Sequence, residues 1–294
     1  MPLRDRAILL TLTAVWGLNF SVIAIALRDV PPLLLGALRF TLVALPAVFL
    51  LPRPTAPWRH VAAYGLAIFA LQFGLLFAGM AWGTGAGVAS LALQFQVFVT
   101  MGLALWFGRE RPMPHQLAGA LLGAAGLAVL LLDHQVVRAG VGLLCVLLAA
   151  VCWGVGNTLS RRLLSGQAVL SLVAWGSLYS ALPIALVSLW LEGPGAWVQA
   201  YERGSGVTLA ALAYIVYPTT LAGFAVWAWQ LRVHPVASVA PFTLLVPVFG
   251  LFFARLINGE PITPQILGAA CLVLAGMALN QWGDRLRPAR RPAA

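Results

Sequence analysis

The side chains able to do acid–base or metal chemistry lie everywhere except deep inside the apolar stretches that make up most of this chain. Its eight carboxylates (Asp5, Asp29, Glu110, Asp133, Glu192, Glu202, Glu260 and Asp284) fall at segment ends or in loops. So do its four histidines, His60, His115, His134 and His234. A proton relay inside a membrane uses Asp, Glu or His at depth, so the pattern argues against carboxylate-based proton coupling. Ser177 follows a glycine, but no histidine lies at its depth to act as a base, which argues against nucleophilic catalysis. Cys145, Cys152 and Cys271 lie inside apolar runs without the spacing of a metal site and read as small buried hydrophobes. No catalytic residue, metal or cofactor is expected.

What remains at depth is neutral. Asn19 and Ser21, then Gln72, then Ser90, Gln94, Gln96 and Thr100 interrupt the first, third and fourth apolar segments. Asn157 and Thr158 interrupt the sixth, and Tyr214, Tyr217, Thr219 and Thr220 the eighth. An amide facing hydrocarbon without a partner is costly, so these side chains should point inward. The plain alternative is that they cross-link helices, at about 1 kcal/mol each. Their concentration in a few segments favours a cavity lined by Trp16, Asn19, Gln72, Gln94, Trp153, Asn157, Tyr214 and Tyr217. Aromatic walls with a few convergent amides suit an apolar or aromatic amino-acid side chain. Arg39 is the only charge well inside a segment. Two readings stay open for it: snorkelling outward or bonding helix-end carbonyls, or holding a substrate carboxylate.

The elements that must position these groups are long apolar runs. The 294 residues are 61% hydrophobic and 9% charged, with a mean hydropathy of +0.93. A soluble domain needs about a quarter of its residues charged. Crossing a hydrocarbon core takes roughly 17–25 apolar residues, and ten such segments are expected: 7–27, 33–51, 61–82, 87–107, 115–132, 140–159, 168–191, 207–229, 235–256 and 264–282. The sequence also repeats. Trp16-Gly17 and Ala44-Leu45-Pro46 recur as Trp153-Gly154 and Ala181-Leu182-Pro183, and Val88-Ala89-Ser90 recurs as Val236-Ala237-Ser238. Two five-segment units result, 7–132 and 140–282, followed by a basic tail at 283–294. Five is odd, so tandem copies must be inserted with opposite orientation, an architecture of transporters whose substrate site lies near the midplane. The fold class expected is therefore an all-α membrane protein of ten transmembrane helices in two inverted five-helix repeats.

All eighteen basic residues are arginine. Arg28, Arg138, Arg203 and Arg255 lie on one side of the ten segments, Arg39 lies within, and the other thirteen share the side of the N-terminus. Short arginine-rich loops stay cytoplasmic, so both termini are expected inside. The arginines are scattered between apolar runs, which disfavours nucleic acid as a partner. Ala24-Ile25-Ala26 imitates a signal-peptide cleavage site. Because Trp16 and Asn19 precede it and Trp153-Gly154 recurs far downstream, the first segment is expected to stay in place. Gly119-xxx-Gly123 is a close-packing pattern read as internal packing against the tenth segment, and a monomer is expected. Prolines remove backbone bonds, so Pro241 and Pro247 should bend the ninth segment, whereas the fourth, with only Gly102, should be straighter.

Two five-helix halves, Trp-Gly early in each, Ala37-Leu38-Arg39-Phe40 and the Gly259-Glu260-Pro261 turn resemble the EamA-domain members of the drug/metabolite transporter superfamily. The resemblance covers essentially the whole chain and is greatest to the YddG-type amino-acid exporters, for which aromatic amino acids are typical cargo. The counterpart of Arg39 is Gly176, the first-half turn reads Gly108-Arg109-Glu110-Arg111-Pro112, and the fourth segment lacks the proline of the ninth. The resemblance implies a bacterial inner-membrane exporter of amino acids and related small metabolites, working by alternating access in contact with membrane lipids; the lack of carboxylates and histidines at depth adds the expectation that it is uncoupled. Export of other metabolites or drugs remains the alternative, and outside transport, a membrane-embedded enzyme or an assembly subunit.

Overall fold

A computed structural model describes residues 1–108, 113–164 and 166–282. The Arg109–Pro112 part of the first-half turn, including Glu110, and the basic tail at 283–294 lie outside the described residues. Ten principal helices follow one another: α1 Leu3–Ala26, α2 Pro32–Leu50, α3 Trp58–Ala81, α4 Ala86–Phe107, α5 Pro114–Leu130, α6 Gly140–Leu163, α7 Val169–Leu191, α8 Gly206–Val233, α9 Ala240–Asn258 and α10 Pro264–Trp282. Short helices at His134–Arg138 and Pro194–Arg203 cover the loops before α6 and α8. Eight of the ten principal helices are long and apolar enough to cross a membrane, and α5 and the apolar part of α10 are shorter. The chain is an all-α, multi-span membrane protein. Phe49, Leu121, Leu182, Leu209 and Leu267 face outward on its perimeter, where only hydrocarbon can cover them.

Local chemistry sets the ends of these helices. Pro32 at the first position of α2 costs no hydrogen bond, because that N–H would have no helical partner. Gly259, with φ +69°, ends α9 in the left-handed conformation that only glycine adopts cheaply.

The halves pack as inverted equivalents. Helices α5 and α10 lie side by side: a Cβ on Gly119 would sit 2.6 Å from the Gly276 carbonyl oxygen, and one on Gly126 would sit 3.0 Å from that of Ala269. Ascending the first helix descends the second, so these repeat-related helices are antiparallel. Helices α2 and α7 repeat the arrangement, with Leu33 at Glu192 and Gly36 at Ile184. Gly17 of α1 packs on Phe249–Gly250 of α9, and its counterpart Gly154 of α6 packs on Val99–Thr100 of α4. The Gly119-xxx-Gly123 motif divides its contacts: Gly119 meets α10, and Gly123 meets the Phe98 ring of α4.

Two helix irregularities also occur in equivalent places. A π-helical turn, Leu66–Leu71, interrupts α3, and another, Ile215–Ala222, interrupts α8. Pro218 lies in the second, and the Thr219 and Thr220 hydroxyls donate to the Tyr214 and Ile215 carbonyls at 2.9 and 2.8 Å. Those hydroxyls supply donors where the backbone ladder is broken. A tight 3₁₀ turn interrupts α4 at Leu93–Phe95, and another opens α9 at Ala240–Leu244. The second contains Pro241 and leads to Pro247; the first lies in the fourth helix, the one expected to be the straighter of the two. It needs no proline, and Gly102 lies seven residues beyond it, with open space around its Cα.

Candidate functional site

The expected site residues fall into three neighbourhoods. The seam between α1 and α8 holds the first. The Trp16 indole N–H donates to the Thr219 carbonyl at 3.0 Å, and the Tyr214 hydroxyl donates to the Val15 carbonyl at 2.9 Å. Trp16 also packs against Phe224 and Trp227, with ring centroids 6.1 and 5.5 Å apart. The π turn explains the indole bond, since it leaves carbonyls without their usual helical donors. Asn19 is buried one turn further along α1, and its Oδ1 has no hydrogen-bond partner in the protein.

The second neighbourhood joins α4 to α6. The Asn157 amide donates to Gln96 Oε1 at 3.0 Å and to Thr100 Oγ1 at 3.2 Å. Trp153, one turn earlier on α6, is half-buried and packs against both of the large apolar clusters. Gln94 is buried at the 3₁₀ turn of α4 and reaches across to the turn in α9, with a long 3.5 Å bond to the Thr243 carbonyl. Tyr217 does not join any of these groups. It is 53% exposed, next to buried Val216 on α8.

Around Arg39 lies a third neighbourhood. Its guanidinium is buried, stacked 4.1 Å from the centroid of the Phe73 ring and 5.5 Å from that of Phe40. The Thr220 hydroxyl, in the π turn of α8, takes its Nη2 at 2.9 Å. Gln72, preceding Phe73, is 1% exposed, and its Nε2 has no protein partner. Phe40, Phe69, Phe73 and Phe77 form a continuous run of edge and tilted ring contacts at 5.2–5.6 Å. In a chain so rich in apolar residues nothing singles these phenylalanines out, although the four-residue spacing of Phe69, Phe73 and Phe77 places them on one helix face. Snorkelling is excluded for Arg39, whose side chain is wholly inside.

The two ends of the bundle differ. On the face carrying the 27–31, 82–85, 131–139, 192–205 and 259–263 loops, every residue of α4 from Ala86 to Gln94 is buried. Carboxylates lock this face. Glu260 accepts the Ala86 and Gly87 N–H groups at 2.6 and 3.0 Å, and Glu192 accepts those of Leu33 and Leu34 at 2.7 and 3.0 Å. Each therefore caps the N-terminus of a helix in the other half, where the helix dipole favours a negative charge. Asp29 accepts from Thr208, and Asp133 from Thr263. The Thr263 hydroxyl, with the Gln135 and Val136 N–H groups, holds the Asp133 carboxyl below its ordinary range against the opposing effect of burial. A cavity of about 210 Å³ opens at this face beside Thr84, Gly85, Gln135 and Glu260 and contains none of the expected site residues.

Toward the termini the packing loosens. From Phe95 to Phe107 only Phe98 is buried, and residues 240–246 of α9, 224–229 of α8 and 157–160 of α6 are all half-exposed. Four helices lose burial at the same depth, on the side where Gln96, Thr100 and Asn157 lie. Asp5 pairs with His234 at 2.8 Å on this side. Packing is therefore denser around α4 at the loop face than toward the termini.

Known proteins fit this architecture. The EamA-like transporter family matches residues 6–132 and again 140–281. A "probable amino-acid metabolite efflux pump" of Salmonella typhimurium is 39% identical over 99% of both chains. The Escherichia coli protein of the same description is 38% identical over 98% of both. An uncharacterized transporter of Bacillus subtilis is 24% identical over 92% of this chain and 94% of its own. A solved crystal structure, 23% identical, superposes with a TM-score of 0.65 over 97% of this chain and 99% of its own, a likeness of fold. The chain belongs to the EamA-like transporter family and is a multi-span membrane transport protein, not an enzyme.

Proposed function

We propose that this protein exports amino acids, aromatic ones among them, and related small metabolites across the bacterial inner membrane by alternating access, without ion coupling. The observation that carries the cargo class is the similarity, over nearly the full length, to two proteins described as probable amino-acid metabolite efflux pumps. Within the family the reading is closest to the YddG-type exporters. The site is the mid-membrane set of Trp16, Asn19, Gln72, Gln94, Trp153, Asn157 and Tyr214, in which aromatic surface alternates with amides. The buried Asn19 and Gln72 each keep a polar atom that no protein group meets, and a buried polar atom left in that state is costly. A cargo amino group or a co-bound water supplies a donor to Asn19 Oδ1, and a cargo carboxylate or a water supplies an acceptor for Gln72 Nε2.

All ten principal helices span the bilayer in this reading, as two inverted repeats, 7–132 and 140–282, that work as a monomer. The termini and the tail at 283–294 lie in the cytoplasm, following the arginine asymmetry. The less densely packed side is then cytoplasmic, the side from which an exporter loads its cargo. Transport is uncoupled because no carboxylate or histidine lies at mid-depth among the described residues. Reconstitution into proteoliposomes with a panel of labelled amino acids tests both parts. Equilibration of aromatic and apolar amino acids, with no accumulation under an imposed pH gradient, is expected. Failure of every amino acid to move overturns the cargo class. Proton-driven accumulation that disappears in Glu260→Gln overturns the uncoupled mechanism.

A further inference from the structure

Arg39 is a cation with nothing to neutralise it. It is 2% exposed, yet it makes one hydrogen bond, to Thr220 Oγ1, and its Nε and Nη1 have no partner in the protein. No ion pair involving Arg39 occurs among the described residues. Two phenylalanine faces, Phe40 and Phe73, supply only the weak attraction of ring quadrupoles. Removing a guanidinium from water carries a penalty of several kcal/mol, which persists unless a counter-charge and hydrogen bonds offset it. A guanidinium has five N–H donors in a planar fork suited to carboxylates, and most of these remain free. Its repeat counterpart is Gly176, packed directly on Gly65 and Phe69 of α3, so the fold does not require a side chain here. The bundle closes around glycine in one half and holds an unpaired arginine in the other.

We infer that Arg39, anchored by Thr220 on the α8 π turn, is the carboxylate-binding residue of the transport site, with the adjoining Phe40, Phe69, Phe73 and Phe77 face receiving the apolar side chain of the same cargo. This rests on the amino-acid reading above and deepens it, because it makes the cargo's carboxylate a requirement for recognition. The anchor also links recognition to movement. The one hydrogen bond that orients the guanidinium comes from a helix segment whose ladder is already interrupted, so an anion drawing Arg39 toward itself pulls on α8 at its most deformable turn.

The test uses matched pairs, phenylalanine against phenylalaninamide and leucine against leucinamide, measured as transport in proteoliposomes and as thermal stabilisation of the detergent-solubilised protein. The wild type should favour each acid over its amide by at least about tenfold, as expected when a hydrogen bond to a charged group is lost. Arg39→Gln should remove the preference, and Arg39→Lys, which keeps the charge but loses the fork, should restore part of it. A purely structural arginine would lower the amount of folded protein in these variants without moving the acid-to-amide ratio. Wild-type protein that treats acid and amide alike overturns the inference with no variant needed. So does stabilisation by neither member of any pair, or an undiminished preference in Arg39→Gln. If no amino acid is transported but the acids still stabilise the wild type through Arg39, the cargo reading fails while the carboxylate site stands.

Discussion

Glu260→Gln should spring the closed face open. Glu260, in the α9–α10 loop, bonds the Ala86 and Gly87 N–H groups at the start of α4, and the rest of that N-terminal stretch is buried behind it. The amide keeps one acceptor oxygen, so the substitution removes one of the two bonds and the charge. A hydrogen bond to a charged group contributes about 1.5–3 kcal/mol, and a carboxylate at a helix N-terminus roughly 0.3–1 kcal/mol. A net loss of about 2 kcal/mol shifts the open population of this face by roughly 30-fold, at 1.4 kcal/mol per tenfold. The reporter is Thr84→Cys, buried beside the latch, in a background with Cys145, Cys152 and Cys271 replaced by serine, modified by a membrane-impermeant thiol reagent. Its modification rate should rise by that factor. Gly85→Ala should act in the same direction with the charge intact, because its Cβ would lie 2.7 Å from Glu260 Oε2 and displace the carboxylate. A rate unchanged in both variants refutes the latch.

Other expectations are as direct. In intact cells, cysteines replacing Arg28, Arg138 and Gly204 should react with impermeant reagents and one replacing Arg59 should not; the reverse pattern overturns the orientation. Asn157→Ala removes the bonds to Gln96 and Thr100, and with Gln72→Ala it should cut transport while leaving the protein monodisperse; full transport in both means these amides only join helices. Gly119→Ala should lower the melting temperature through a loss of about 1–3 kcal/mol, since the new Cβ would meet the Gly276 carbonyl at 2.6 Å, whereas Gly102→Ala, with open space around it, should be neutral. Equal effects of the two would mean that α5 and α10 can part without cost.

Much of the fold was legible because hydrocarbon imposes few alternatives. A buried backbone without water must be helical, so apolar runs locate helices, and the Trp-Gly repeat pairs Gly17 with Gly154 before any contact is known. The structure then places both glycines where two helices touch. The π turns were hidden. Pro218 hints at one of them, but Leu66–Leu71 contains no proline or glycine; its irregularity follows from tertiary packing, with Gly65 against Gly176 just before it. The same limit applied to α4. Proline is the sequence's only explicit mark of a broken helix, and the 3₁₀ turn at Leu93–Phe95 forms without one.

The site was legible as a list of polar residues but not as a set of partnerships. Apolar segments reveal that Gln72 or Asn157 must avoid lipid; they do not reveal that Asn157 is satisfied by Gln96 and Thr100 while Gln72 keeps a free donor. That distinction separates a group that ties helices together from one that still needs a ligand, because only an unmet polar atom gains when cargo arrives. Arg39 shows how far the distinction reaches. Spacing alone allowed it to snorkel or to bond helix ends, and burial among Phe40, Phe73 and Thr220 removes both options. The same asymmetry explains how inverted halves of one fold rest in unlike states. Equivalent helices α4 and α9 both carry a 3₁₀ turn, yet the start of α4 is buried under a carboxylate latch and the start of α9 is half-buried. A few kcal/mol from Glu260 and its neighbours is enough to choose between two such packings. The carboxylates that hold this face lie in loops far from the amides, and in the proposed site cargo would act on that balance through the α8 turn bonded to Arg39.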